Sequence, residues 1–236
     1  MSPGLSGLLP RWLAGRAGGP VETLRVWAGG LERFSPAAAA DMVDSVHGGY
    51  GEPLAAWRDG AAVARAATPT EGVRLPPFPG RVTTYPFLSG ESRRVAASLG
   101  VRHGDFHNVF PGQRTFAVLS RLRAEPDTGH AVAARRLARA GDADLAGHRP
   151  YQLMVVEVRA GKTVTATVRA DDGYRVTAAV AAAATTAVLG GTVPAGAGWA
   201  DDVLDPATVL TGVAAVCAVF EVADGPLEDA VEEVVL

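Results

Sequence analysis

Isoleucine is absent from this 236-residue chain, and lysine, asparagine and cysteine occur once each, as Lys162, Asn108 and Cys217. A single cysteine excludes an intramolecular disulfide framework. All the lysines and arginines but Lys162 are arginine, and alanine and glycine abound, which reads as a bias towards GC-rich codons. Arginine richness is therefore no evidence for phosphate or nucleic-acid binding. The basic stretch of Arg121, Arg123, Arg135, Arg136 and Arg139 also lacks the aromatic residues a nucleic-acid surface wants, and reads as a solvated helix face. No apolar run reaches the roughly 20 residues of a membrane span. No basic segment followed by a long apolar region opens the chain, so no signal peptide is evident. The expectation is a cytoplasmic protein without nucleic-acid or membrane partners. Net charge is −3 and 48% of the residues are apolar, which is ordinary globular material with enough chain for one sizeable core.

The most informative stretch runs from Tyr151 to Pro206. Leu153 to Val158 and Val164 to Val168 alternate with period two, and Ala160-Gly161 suits a hairpin turn between them. Val164, Ala166 and Val168 would face a core, with Thr163, Thr165, Thr167 and Arg169 turned to water or a partner. Asp171-Asp172-Gly173 signals a helix start, and Gly190-Gly191 its end. Between them Arg175 is the one charge, so the segment reads as a core helix with nearly every side against protein.

Earlier in the chain an apolar helix spans the first 19 residues, with Leu5, Leu8, Leu9, Trp12 and Leu13 on one side. Val21 to Ala28 reads as a strand ended by Gly29-Gly30. Ser35-Pro36 opens a helix to about Val46, with serine as N-cap and proline in the first turn. Strands are expected at Arg81–Tyr85, where Pro86 stops or edges the strand, and at Val101–Phe110. Helices are expected at Glu91–Leu99, Phe116–Ala124 and Ala131–Ala140. Near the end, LDPATVL reads as a capped helical turn. Val213 to Val222 reads as a buried strand holding Cys217 as a small hydrophobe, and the acidic tail from Pro226 as a last helix or strand. Interleaved helices and hairpins predict an α/β (α+β) fold: a mixed, largely antiparallel β-sheet flanked by helices, with no Rossmann domain.

Several segments together resemble the C-terminal half of the saccharopine dehydrogenase-like oxidoreductases. They are Ser2-Pro3-Gly4-Leu5-Ser6-Gly7, Trp27-Ala28-Gly29-Gly30-Leu31, Trp57-Arg58-Asp59-Gly60, Asp172-Gly173-Tyr174-Arg175-Val176-Thr177-Ala178, Val193-Pro194 and Val203-Leu204-Asp205-Pro206. The resemblance implies a mixed sheet that shapes a substrate pocket for an amino-acid- or amine-like molecule and pairs subunits as a homodimer. It implies a linking helix over 1–20 and one substrate-binding and dimerisation domain over 21–236. Such enzymes bind NAD(P) on a preceding Rossmann domain, which is not found here. Gly48-Gly49-Tyr50-Gly51 and Gly196-Ala197-Gly198 lack the G-x-G-x-x-G spacing and setting, so no cofactor is expected on this chain alone. NAD(P) would need a Rossmann partner, with the chain truncated or split from it. The alternatives are a stand-alone binding or scaffold module and a cofactor-free acid–base enzyme.

Candidate chemistry centres on His103, Asp105 and His107, whose alternation on one strand puts all three on one face, as an acid–base group or metal cluster wants. The ordinary reading is a polar strand end. Tyr50 in a glycine-rich loop, Tyr85 at a strand end, and Tyr174 and Arg175 at a helix start are candidate substrate-binding residues. An arginine there suits a substrate carboxylate, or else pairs with Asp171 or Asp172.

Overall fold

The computed structural model describes residue 1, residues 3–125 and residues 128–227. The acidic tail is thus outside the described residues from 228 onward.

Among the described residues ten strands form one open, mixed sheet. Its spine is β10 (Val219–Asp224), β9 (Thr163–Ala170), β8 (Tyr151–Arg159), β1 (Thr23–Leu31) and β7 (His103–Phe110), in that spatial order. Beyond β7 lie the short β3 (Ala56–Arg58) and β4 (Ala61–Val63). The long β6 (Arg81–Ser89) also pairs with β7, and carries β2 (Gly51–Pro53) and β5 (Thr70–Arg74). Only the β1–β7 pair is parallel among these ladders. The sheet is therefore largely antiparallel and flanked by helices.

The β8–β9 hairpin follows the alternation of its sequence. Val164, Ala166 and Val168 are almost fully buried on one face, together with Met154, Val156 and Val158. Against that face packs α1 (Leu5–Ala17), whose Leu5, Leu8, Leu9 and Leu13 are inaccessible to solvent. Burying one leucine is worth about 1.5–3 kcal/mol, so four of them anchor α1 to the sheet of its own chain. The same core takes Val176 and Val180 of α6 (Gly173–Leu189) and Val209, Leu210 and Val213 of α8 (Pro206–Ala214). It also takes Val95 of α3 (Gly90–Ser98). A short helix, α7 (Ala200–Val203), precedes α8. A separate apolar cluster joins α2 (Pro36–His47), α4 (Gln113–Ala124) and α5 (His130–Leu145) through Val43, Leu119, Leu122, Ala133 and Leu137.

Four local expectations need correction. Strand β1 runs through Gly29-Gly30 to Leu31 instead of ending there. Pro86 lies inside β6, its ring needing no ladder donor, and its carbonyl accepts from Leu54 N. Helix α8 continues to Ala214 and the final strand starts at Val219, so Cys217 sits half-buried between them. Helix α6 is no core helix: Gly173, Val176 and Val180 are buried, while Val188 and Leu189 are 63% and 84% exposed. At 17 residues it is too short for a span, and no helix among the described residues is long and apolar enough to cross a membrane.

Candidate functional site

Parallel pairing brings the carboxyl ends of β1 and β7 side by side, the place where open α/β sheets gather ligands. A cavity of about 300 Å³ opens there. Gly29 and Gly30 form part of its wall because the backbones approach too closely for side chains. A Cβ on Gly29 would lie 1.9 Å from the Val109 carbonyl oxygen, and one on Gly30 2.0 Å from that of Tyr151.

Helices α2, α4 and α6 all start around this cavity, and in each a side chain takes one or two of the first N–H groups. Ser35 Oγ accepts from Ala38 N of α2 at 3.1 Å. Asp144, reaching over from α5, accepts from Arg114 N at 3.2 Å and Thr115 N at 2.7 Å at the start of α4. At α6, Glu32 accepts from Gly173 N, and Asp172 from Tyr174 N at 2.8 Å. Carboxylates suit these positions because helix starts carry about half a positive charge.

Glu32 stands immediately after β1, inside the cavity. Burial pushes its carboxyl above the usual range, although the Gly173 N–H and the Gln152 side chain hold the charged form. Asp41 and Asp144 also line the cavity. The Asp144 side chain is only 5% exposed and is committed to α4. Of the cations nearby, Arg33 reaches outward to Asp142 at 3.1 Å with its side chain 77% exposed. The Met1 amine donates to Thr177 Oγ1 at 3.0 Å, and burial lowers its pKa. Glu32 is thus a carboxylate in a place that disfavours its charge, with the Gly173 N–H, the Gln152 side chain and the charge of the Met1 amine set against that burial.

Of the residues singled out in the sequence, Tyr174 lines this cavity, and its hydroxyl accepts from Ser35 N at 3.2 Å, tying the start of α6 to that of α2. Arg175, beside it, is exposed and is not part of the lining. Tyr85 lines a second, smaller cavity next door, and Tyr50 is 60% exposed in its loop. His103, Asp105 and His107 share a face of β7, but each has its own neighbour. Asp105 pairs with Arg58 at 2.6 Å. His103 Nε2 lies 3.9 Å from Asp59 Oδ1. His107 stacks on Trp27 with ring centroids 6.1 Å apart, and burial lowers its pKa. None of the three lines either cavity. Among the described residues no cluster of three or more histidine, cysteine or acidic side chains could hold a metal ion.

Sequence reading did not find Glu32, Asp41 or Asp144. The available signal was Gly29-Gly30 with Glu32 two residues on and then a capped helix, a strand–turn–helix passage next to a close backbone approach.

No protein-family model matches this chain, and no curated protein does. Among solved structures, apo histidine-tagged saccharopine dehydrogenase (L-Glu forming) from Saccharomyces cerevisiae is similar at a TM-score of 0.49 and 12% identity. The match covers 95% of this chain and 72% of that one. A likeness this distant decides neither family nor reaction.

Proposed function

We propose that this chain is the substrate-binding and oligomerisation portion of a saccharopine dehydrogenase-like NAD(P)-dependent oxidoreductase, working with a cofactor domain held elsewhere. Its ligand is an amino-acid- or amine-like small molecule whose ammonium pairs with Glu32. The observation that carries this is the half-buried Glu32 carboxylate in a cavity of about 300 Å³ at the carboxyl ends of β1 and β7. A ligand cation would add to the charge of the Met1 amine there, since an opposite charge within a few Å favours the ionised carboxylate.

The occupied helix starts support the view that NAD(P) is held elsewhere. A pyrophosphate binds where helix N–H groups are free. Here α4 and α6 present carboxylates and α2 its own serine, so the residues of this cavity do not fit that group. The charge-free outer surface supports a homodimer: no charged residue occurs from Val176 to Ala200 or from Pro206 to Phe220.

Thermal melts of the purified chain with putrescine, glycine and L-glutamate test the substrate reading. A ligand present at 100 times its Kd adds about 2.7 kcal/mol of stability. Stabilisation by an amine-bearing compound that shrinks at least tenfold in apparent affinity in Glu32→Gln is expected. If no amine raises the Tm, or if E32Q responds like the parent, the reading is wrong. Parallel titration with NADPH is expected to show no binding at micromolar concentrations, and light scattering to show a dimer.

A further inference from the structure

A sheet edge is a row of unpaired N–H and C=O groups, and folded proteins blunt such edges with shortness, proline or bulges. Three of the outer strands are blunted in this way. β2 and β4 are three residues long, β2 ends on Pro53, and the pairing of β5 shifts register between Thr70 and Val73. β10 is the exception. Its register against β9 is continuous over all six residues from Val219 to Asp224, and it contains neither lysine nor proline. Among the described residues only β9 pairs with it. Beyond β10 the chain turns in under the sheet, where Leu227 clusters with Leu153 and Val155 and its N–H donates to Glu157 of β8 at 2.9 Å. Residues 225–227 therefore leave the edge uncovered.

Strand parity decides what this edge offers. Gly225 N donates inward to the Thr163 carbonyl at 3.0 Å, in register with the ladder. Alternate residues of an antiparallel strand bond to the same neighbour, so Val219, Glu221 and Ala223 also face β9. Phe220, Val222 and Asp224 then turn their N–H and C=O groups outward. Phe220 and Val222 are only partly buried, and their side chains continue the main core, with Trp12 meeting the Phe220 ring edge-on at 6.2 Å.

We propose that β10 is the dimerisation surface, pairing antiparallel with β10 of a second copy across a two-fold axis at Val222, so that the two sheets become one. The proposal rests on the homodimer reading above and gives it a place. With Val222 opposite its own copy, Phe220 faces Asp224 and Glu221 faces Ala223. All the outward residues of both strands are then used, giving about six backbone hydrogen bonds, two for each facing pair. Asp224 is already paired with Lys162 at 2.8 Å, so it brings no unbalanced charge to Phe220. The neighbouring registers fit less well. An axis at Glu221 sets that carboxylate against its own copy, which is destabilising, and leaves Asp224 beyond the facing strand. An axis at Ala223 sets Phe220 against Pro226, which has no N–H to give.

Light scattering of the whole chain and of two variants tests this. The Val222 N–H points outward, so Val222→Pro removes no ladder bond within the chain. Val222→Lys sets like charges against each other on the axis. The parent is expected to be a dimer, and each variant to have a dimer Kd weakened at least about tenfold while keeping the parent's circular dichroism. Val222→Lys decides should Val222→Pro not fold. Cross-linking in a Cys217→Ser background reads the register. Val222→Cys is expected to give a disulfide-linked dimer on oxidation, because facing residues of a bonded pair lie about 5.5 Å apart, within the reach of a disulfide. Glu221→Cys is expected to give none, since diagonal residues lie about 7–8 Å apart. Dimers that persist in both variants, or a cross-link through Glu221→Cys instead, refute this pairing while the homodimer reading stands. A monomeric parent refutes both and leaves the edge to a strand from another protein. The Glu32 site is untouched by any of these results.

Discussion

Replacing Asp144 with alanine tests whether the cavity floor is held by a cap donated from another helix. Its side chain is 5% exposed and takes the Thr115 N–H at 2.7 Å and the Arg114 N–H at 3.2 Å. The Thr115 donor is largely buried, so losing its charged acceptor costs about 1.5–3 kcal/mol. Arg114 N faces water and is rehydrated at little cost. Loss of the favourable charge at the start of α4 adds about 0.3–1 kcal/mol. Asp144→Ala is therefore expected to lower stability by about 2–4 kcal/mol, or about 4–16 °C in Tm for a domain of this size. Gly112 makes the test sharper. A Cβ there would sit 2.2 Å from Asp144 Oδ2 and 2.7 Å from Asp144 Cβ. Gly112→Ala alone forces a clash costing about 1–3 kcal/mol. In the D144A background the Oδ2 clash is gone while the Cβ contact remains, so the relief is partial. Equilibrium urea unfolding of the four proteins in this cycle is expected to give a coupling of about 1 kcal/mol, within the range for residues in contact. A D144A loss below about 0.5 kcal/mol, or strict additivity with G112A, refutes the reasoning.

Two further outcomes follow from one half-buried and one buried carboxylate. Glu32 has a folded pKa above its ordinary value of 4.5, so the stability it contributes is fully present below that value and is lost as pH rises through the folded pKa. Glu32→Gln keeps an acceptor for Gly173 N. Its Tm is expected to exceed that of the parent at pH 8 and to match it near pH 4. A parent that gains on E32Q as pH rises overturns the assignment. Beside α1, Asp201 is 2% exposed and meets Arg94 at 2.5 Å, while the Arg94 guanidinium lies over the Trp199 ring at 4.2 Å. Asp201→Ala leaves that guanidinium without its counter-ion, and chemical denaturation is expected to show a loss of about 3 kcal/mol. A loss under about 1 kcal/mol means Arg94 finds water instead.

Features that depend on neighbours in sequence could be read directly. The β8–β9 hairpin follows from period-two alternation around Ala160-Gly161. The starts of α2 and α6 follow from Ser35-Pro36 and Asp172, whose side chains cap as their chemistry demands. A mixed sheet flanked by helices follows from the interleaving of such segments. Helix α6 shows where this reasoning stops. Alanine at position after position gives neither face a hydrophobic advantage, so composition could not say which side the sheet would cover. The same holds at Cys217, where a run of small apolar residues fits the end of a helix as well as a strand.

The cavity belongs to the other category. His103, Asp105 and His107 stood out because their spacing is local, yet the fold gives each a different neighbour on the β7 face. Glu32, Asp144 and Gly173 are far apart in the chain and carry no mutual spacing to detect. They meet because β1, β7 and β9 run the same way and finish at one end of the sheet, which gathers the starts of α2, α4 and α6 there. Short-range patterns of alternation and capping determined the elements of this protein; the sheet order alone, a matter of long-range pairing and shared burial, determined which of its carboxylates face a common space.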